Sequence, residues 1–427
     1  VPYSVVSLGC ARNLNDSEKM IDDLNHGGFQ LVAEGNNEQV TILNTCAFIQ
    51  AAIDETEATI QSLLDRKRQG ALKVLVVAGC YPSRFKGQVL KEKFPEVDLW
   101  VKTQEESQIQ RLLSRLIFGR TFQPQERVAY TKLTPSHYSY IKISEGCNNW
   151  CSFCTIPKIR GPHQSKTVPQ LQTEVQQQVE YGAKELLLIA EDTTCWGEDL
   201  YGKPSLQTLV KALSDCPVEW IRLMYLFPSR MTPELIKAIQ ESPNICAYLD
   251  MPIQHVNTEL LASMRRAHDK DHLCRILDLL FESIPNLSLR STFILGYPGE
   301  TEEQVNELSD FLERYPFTNI GCFGYSEERE TRSARLKDKV PESEIQARIQ
   351  HVMGVQQSLL EERNVALIGE PLKMIYEGDG TGRSYRDAPD VDGKLRLASV
   401  PEHYKVGEFY QVQVTETSAY ELTVQAL

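Results

Sequence analysis

No run of apolar residues in this 427-residue chain approaches the roughly 18 that a membrane-spanning helix needs; the longest are strand-sized pieces such as Val74–Ala78. A basic flank with a cleavage signature is also missing. The chain enters directly on the strand-like Tyr3–Leu8, so no targeting segment is read, no membrane partner is expected, and the cytoplasm is the expected compartment. There are no internal repeats and no low-complexity tracts, which argues against a repeat array or a disordered tail. Positive charge is in deficit: 45 Lys and Arg face 58 Asp and Glu, a net charge of −13. Proteins that grip nucleic acid through its phosphates usually carry basic surface, so this balance favours a basic or protein partner. The eleven cysteines are an odd number in a chain without a secretory signal. A disulfide framework is therefore not expected, and metal binding or buried thiols remain.

What is present is enough for two or three domains, since 41% of the residues are hydrophobic. Over the first hundred residues strand and helix patterns alternate. Tyr3–Leu8, Val40–Leu43 and Leu72–Ala78 read as strands. Helix-start chemistry at Asn15–Glu18 leads to a stop at Gly27-Gly28, and a long helical stretch runs from about Gln50 to Arg68. Repeated βα units predict an open, doubly wound parallel sheet. Thr121–Pro135 reads as a linker. Beyond it Tyr138–Ser144, Glu185–Ala190, Ile221–Leu226, Ala247–Asp250, Ser288–Leu295 and Gly321–Tyr325 are strand candidates with helical patterns between them, predicting an incomplete (β/α) barrel. A long polar helix over Glu344–Ile368 follows. The last sixty residues change to short alternating strands with Gly and Pro turns, the pattern of a small antiparallel β-barrel. The expected domains are 1–120, 133–363 and 364–427.

The first three strands end alike, at Leu8-Gly9-Cys10, Asn44-Thr45-Cys46 and Ala78-Gly79-Cys80. In an open parallel sheet the carboxyl ends of the strands share one edge, where ligands bind. One βα period separates these cysteines, so they can converge as three ligands of one cluster; the other reading is small residues packed at strand ends.

Directly after the first barrel strand comes Glu145-Gly146-Cys147-Asn148-Asn149-Trp150-Cys151-Ser152-Phe153-Cys154. Three thiolates within eight residues can hold three corners of a 4Fe–4S cluster and leave the fourth iron open. An open iron lets a small molecule bind the cluster itself. The amino and carboxylate groups of S-adenosylmethionine chelate such an iron, and an electron into the sulfonium releases a 5′-deoxyadenosyl radical that abstracts hydrogen from an unactivated carbon. A closed zinc site needs a fourth ligand, and the nearest downstream histidine, His163, lies nine residues beyond Cys154.

In these residues and others the chain resembles the radical S-adenosylmethionine methylthiotransferases over essentially its full length. The resemblance is carried by Ser7–Glu18, Lys142–Cys147, Arg290–Glu303 and Gly382–Gly393. It implies a radical-type barrel and a C-terminal TRAM barrel. It also implies two 4Fe–4S clusters, with Cys147, Cys151 and Cys154 as ligands of the radical cluster and Cys10, Cys46 and Cys80 as ligands of an auxiliary one. One S-adenosylmethionine methylates a sulfur on the auxiliary cluster; a second yields the radical that activates the substrate carbon. Within the family the chain looks most like the branch acting on the β-carbon of an aspartate in the twelfth small-subunit ribosomal protein, free or in the ribosome, with a reductant such as flavodoxin or ferredoxin. It departs from the pattern at Ala11-Arg12, where Pro-Lys is usual, and at Tyr420–Val424, where a Trp-Gly is often found.

Candidate cofactor contacts are Phe153, Glu191, Asp192, Gln254 and Gly296. Glu191-Asp192 belong to the stretch from Gly182-Ala183-Lys184-Glu185 at the second barrel strand, whose carboxylates can meet the amino or ribose groups of S-adenosylmethionine. Gln254 lies in Asp250–His255, where His255 alone reads as a hydrogen-bonded core residue, and Gly296 opens a tight turn through Glu300 that can admit adenine. Cys195, Cys216, Cys246, Cys274 and Cys322 share no spacing and are assigned to packing. Two other functions fit the same residues: a tRNA adenosine methylthiotransferase and a non-catalytic iron–sulfur carrier. A carrier needs neither an open iron beside a barrel nor a recruiting β-barrel. From Asn364 to Leu427 there are 6 basic and 10 acidic residues, a net −4 that suits a basic ribosomal protein better than tRNA.

Overall fold

The structure is a computed structural model that describes residues 1–121 and 130–427. Its compact units are two: Val1–Pro135 with Glu145–His163 and Ser326–Ala334, and Ser136–Ser144 with Gln164–Tyr325 and Arg335–Leu427. Most of the linker expected over Thr121–Pro135, residues 122–129, lies outside the described residues.

In the first unit five parallel strands, β1 (Pro2–Ser7), β2 (Gln30–Leu31), β3 (Val40–Thr45), β4 (Val74–Gly79) and β5 (Leu99–Lys102), stand in the order β2-β1-β3-β4-β5. The period-2 alternation of side chains explains why both faces are covered. Leu43, Leu75 and Val77 point into one apolar cluster with Ile60, Leu63 and Leu64 of helix α2 (Gln50–Arg68). Ile42, Val76 and Ala78 point into another with Met20, Ile21 and Leu24 of α1 (Ala11–His26). The short β2 and β5 have too few residues to show a period and are not legible in the sequence.

Helix α1 starts at Ala11, four residues before the expected Asn15–Glu18 start, with Cys10 at its N-cap and no side-chain cap bond. The polar residues that read as caps lie buried inside the helix and bond elsewhere. Ser17 Oγ donates to Ser7 Oγ at 2.9 Å and accepts from Asn44 Nδ2 at 2.9 Å, and Glu18 accepts from the Leu133 N–H at 2.8 Å. Tertiary bonding, not capping, accounts for them.

The second unit contains six parallel strands: β6 (Tyr138–Lys142), β7 (Glu185–Ile189), β8 (Trp220–Leu223), β9 (Ile245–Asp250), β10 (Ser288–Leu295) and β11 (Phe317–Gly324), neighbours in that order and open between the ends. This is the incomplete barrel that the alternation predicts. Leu186, Leu188, Ile221, Leu223, Leu249 and Leu289 point outward and pack in one core with the helices between the strands. The last strand begins at Phe317, earlier than expected, and β8 stops at Leu223 instead of Leu226. The long helix runs over Glu342–Asn364 and gives way to a short 3-10 turn before Gly369. A closed barrel follows, of β12 (Pro371–Gly378), β13 (Thr381–Arg383), β14 (Lys394–Leu397), β15 (Phe409–Thr417) and β16 (Glu421–Ala426).

Between β13 and β14 the chain does not turn tightly. Residues Ser384–Gly393 run into the open barrel at the end where its strands begin. Glu185, which the sequence placed near the cofactor, opens β7 there and is fully buried; its carboxylate pairs with Arg222, and Arg383 Nη2 reaches its Oε2 at 2.6 Å. Arg222 donates on to the carbonyls of Tyr385 (2.5 Å) and Ser384 (2.9 Å). Asp390 accepts from Tyr138 and Tyr140, each at 3.2 Å, and Asp392 from Tyr248 at 2.6 Å. The inward positions are thus charged and aromatic, where a closed barrel carries branched aliphatics. Burial alone disfavours the Glu185 charge, but Arg383 and then Arg222 outweigh it and hold the carboxyl below its ordinary range.

A buried carboxylate between two guanidinium groups is costly to remove. Replacing Glu185 by Gln is expected to destabilise the chain by about 3 kcal/mol or more, read as a lowered urea midpoint. Asp387 behaves oppositely: burial, then the field of Asp392, raises its pKa to about 6 from 3.8. A raised carboxyl binds more protons folded than unfolded, so it removes stability as the pH rises from about 4 through about 6. Asp387→Asn is therefore expected to gain stability relative to the parent at pH 7.5 and to lose most of that gain at pH 4.5, in urea unfolding at both.

Candidate active site

Each strand-end cysteine of the first unit follows its strand by one to three residues: Cys10 after β1, Cys46 after β3 and Cys80 after β4. Two of them are preceded by glycine for a steric reason. Gly9 has φ +98°, and a Cβ there would stand 2.7 Å from Cys46 Cβ; Gly79 has φ +97°, and its Cβ would meet Asn44 Oδ1 at 2.4 Å. Any larger residue would push the strand ends apart. The three thiols feel one another electrostatically, Cys46 responding to Cys10 and Cys80 to both.

Arg160 ties this group to the loop of the second triad. It ends α3 (Ile156–Arg160), which Thr155 separates from Cys154. Its Nη1 donates to Glu145 Oε1 (2.8 Å) and Asp16 Oδ2 (3.1 Å), and its Nη2 to Asn13 Oδ1 (3.4 Å) and Cys80 Sγ (3.5 Å). Asn13 in turn accepts from Cys10 Sγ at 3.5 Å. One buried guanidinium therefore reaches the sulfur of one triad and the residue two before Cys147 of the other. The electrostatic consequences differ by thiol. Burial pushes Cys80 up to about 12 against the pull of Arg160. Burial also raises Cys10, but Arg12, Arg160 and N–H donors override it and its pKa falls. Arg12 acts on Cys10, on Cys46 and on Cys154, whose thiol burial and Cys151 push up.

The loop of the second triad is held by its own backbone. The Cys147 N–H donates to Gly161 O (3.1 Å), Cys154 N–H to Cys151 O (3.1 Å) and Asn149 N–H to Cys147 Sγ (3.5 Å), while Trp150 sits in the left-handed region at φ +50°. Thr155 Oγ1 reaches Phe48 O at 3.2 Å, two residues beyond Cys46. Among the described residues no three His, Cys, Asp or Glu side chains stand close enough around one point to hold a single metal ion. A 4Fe–4S cluster takes each thiolate on a different iron and so spreads them wider than one ion does. Two sets of three thiols match an iron–sulfur core, which takes its ligands as thiolates, and the guanidinium groups of Arg12 and Arg160 beside them offset thiolate charge. The donor set fits the group.

Of the candidate cofactor contacts, Phe153 is half-buried in the first unit, and Glu191, Asp192, Gln254 and Gly296 follow β7, β9 and β10 at the strands' carboxyl ends in the second. Asp192 is buried and committed: it accepts from Arg230 at 2.8 Å, Cys195 Sγ at 3.3 Å and Thr194. Gln254 has φ +78° and is locked onto β10 by bonds to Thr292 O and from the Ile294 N–H, both 2.8 Å. Gly296 bears no Cβ where Ile345 packs, 2.2 Å from the position a Cβ would take, so helix packing accounts for this glycine.

Sequence reasoning missed the groups that hold these turns. Glu300 accepts from the Gly296 N–H and from Arg348 Nη1 (3.0 Å), and its other oxygen stands 3.4 Å from His255 Nε2. His255 Nδ1 accepts the Asn257 N–H at 3.0 Å, a core histidine as expected. Arg160 and Arg348 carry no local pattern; the one signal for Arg160 is its place six residues beyond Cys154. Cys195 and Cys246 are buried, and Cys216, Cys274 and Cys322 partly so.

Comparison with known proteins follows the same divisions. The Radical SAM superfamily matches residues 141–312, the TRAM domain residues 367–427, and a family described only as uncharacterized, UPF0004, residues 3–102. Among solved structures the radical S-adenosylmethionine methyltransferase TsrM of Kitasatospora setae covers 78% of this chain and 76% of its own, with a TM-score of 0.60 at 14% identity. The cobalamin-dependent radical enzyme OxsB covers 78% of this chain and 54% of its own at a TM-score of 0.53 and 13% identity. At those identities they share the fold. Relatives named ribosomal protein uS12 methylthiotransferase RimO are closer in sequence. That of Elusimicrobium minutum is 36% identical over 98% of both chains, and that of Myxococcus xanthus 38% identical over 99% of this chain and 91% of its own. With such identity over nearly the full length, and the cysteine triads at the ends of parallel strands and after the first barrel strand, this chain belongs to the RimO family of radical S-adenosylmethionine methylthiotransferases.

Proposed function

We propose that this chain transfers a methylthio group to ribosomal protein uS12, at the β-carbon of an aspartate. The observation that carries the reading is the gathering of two thiol triads in one compact unit, with Arg160 bonded to a member of one and beside the loop of the other. A 4Fe–4S cluster and S-adenosylmethionine are the working parts of the superfamily; we assign that cluster to Cys147, Cys151 and Cys154, and an auxiliary cluster to Cys10, Cys46 and Cys80. When bound, the two supply the electron that cleaves S-adenosylmethionine and a place for the sulfur that is to be transferred.

The chain's own residues do the rest. Gly9 and Gly79 let the strand ends close on one another, and Arg12 and Arg160 offset thiolate charge. Phe153, Glu191, Gln254 and Gly296 contact S-adenosylmethionine in this reading, with Asp192 holding Arg230 beside them. The C-terminal barrel, net −4, suits a basic ribosomal protein. A flavodoxin or ferredoxin serves as reductant, in the cytoplasm; no helix among the described residues is long and apolar enough to cross a membrane.

Mass spectrometry of uS12 peptides and of digested tRNA from a strain lacking the gene tests the substrate. Loss of the methylthio group from the aspartate peptide with tRNA unchanged supports it; loss from a tRNA adenosine would transfer the same chemistry to tRNA. In the purified enzyme, Ala at Cys10, Cys46 and Cys80 together is expected to retain S-adenosylmethionine cleavage and abolish sulfur transfer, whereas Ala at Cys147, Cys151 and Cys154 abolishes cleavage. Hydrogen bonds to a cluster's sulfurs favour its reduced form. Arg160→Gln is therefore expected to make the auxiliary cluster's potential more negative and leave the other unchanged, in an EPR-monitored redox titration.

A further inference from the structure

The segment Ser384–Gly393 does more than fill the barrel. Asp392, whose side chain is 1% exposed, accepts from Tyr248 Oη at 2.6 Å, from the Ala388 N–H at 2.9 Å and from Arg290 Nε at 3.2 Å. Arg290, midway along β10, turns its Nη1 to Asp250 Oδ1 at 3.0 Å. Asp250 is the last residue of β9 and fully buried, and its second oxygen accepts the Tyr225 N–H at 3.1 Å. Tyr225 lies just beyond the carboxyl end of β8 with φ +59°, a conformation that tyrosine rarely adopts, and its carbonyl accepts the Thr193 N–H at 3.2 Å. The barrel is crossed from the C-terminal domain to the catalytic edge by three side chains in series, each a charge-assisted bond to the next. Residues held in left-handed backbone gather where geometry matters for function and persist only when their surroundings fix them. The Tyr225 N–H is held by Asp250, whose other oxygen is held by Arg290, while Thr193 holds the Tyr225 carbonyl.

We propose that Asp392 is a positioning residue: through Arg290 and Asp250 it sets the backbone of Tyr225 at the carboxyl-end face of the barrel, so that the seating of the C-terminal domain controls how the methylthio acceptor is held for reaction. The proposal rests on the function given above and adds a role for the domain beyond recruiting substrate. Its two ends lie on different domains, so a partner that shifts Ser384–Gly393 shifts Tyr225.

Two measurements on the full-length protein separate this role from simple docking. In hydrogen exchange by mass spectrometry, Asp392→Asn is expected to speed exchange in peptides containing Tyr225 and leave those of Glu302–Arg314 unchanged. In the reconstituted enzyme with a uS12 peptide, the same variant is expected to raise the 5′-deoxyadenosine released per methylthio group transferred by about threefold or more, the size of effect seen along coupled networks. Ser384→Ala, on the same segment, removes a hydroxyl that donates to Asp387 Oδ2 and accepts the Arg386 N–H but does not touch Asp392, and should change neither. Faster exchange confined to Ser384–Gly393, or equal effects in Ser384→Ala, would overturn the relay. If the parent enzyme transfers no methylthio group to the peptide, the functional reading fails, and exchange at Tyr225 still decides the relay.

Discussion

Buried sulfur needs compensating positive charge, and in this protein that need organises everything around it. Burial holds a thiol protonated, as at Cys80 even with Arg160 beside it, whereas at Cys10 the combined pull of Arg12, Arg160 and N–H donors overrides burial and brings the pKa down. Arg160 and Arg12 are fixed there by bonds to Asn13, Asp16 and Glu145 and by the first turn of α1. The consequence is a helix that begins at Ala11, because Cys10 must sit at its N-cap and Asn13 must face the guanidinium. The two glycines before Cys10 and Cys80 belong to the same constraint, since a side chain at either would wedge the strand ends apart.

The second unit solves a different problem. A six-stranded sheet that stops short of closure leaves an open interior, and branched aliphatics alone do not fill it. Here the interior near the strand starts is filled by charge from the C-terminal domain, with Glu185 held between Arg222 and Arg383, and Asp390 and Asp392 capped by three tyrosine hydroxyls. Buried ion pairs stabilise little compared with apolar packing, but they punish misplacement severely. A domain joined this way has one seat, which is what a relay from Asp392 to Tyr225 requires.

What was legible in the sequence follows from these physical causes. Continuous apolar runs such as Val74–Ala78 announce a strand wherever both faces are buried, and a C-x3-C-x2-C after the first barrel strand carries its chemistry in spacing alone. The same local reading misjudged Asn15–Glu18 and Glu185, whose partners lie across the sheet or in another domain: Ser7, Asn44 and Leu133 for the first, Arg222 and Arg383 for the second. Arg160 was silent for the same reason, and Arg290 and Asp392 entered only as members of stretches that carry the resemblance, with no role of their own. A charged side chain far from its partner in sequence looks like solvated surface until the fold brings the partner to it.

The claim on which the rest turns is that two separate triads each hold a 4Fe–4S cluster. Mössbauer spectroscopy of the chain reconstituted with isotopically enriched iron measures this directly. The account predicts about eight irons per chain, all in 4Fe–4S form, falling to about four when either triad is replaced by alanine. About four irons in the parent chain, unaffected by loss of Cys10, Cys46 and Cys80, would contradict it.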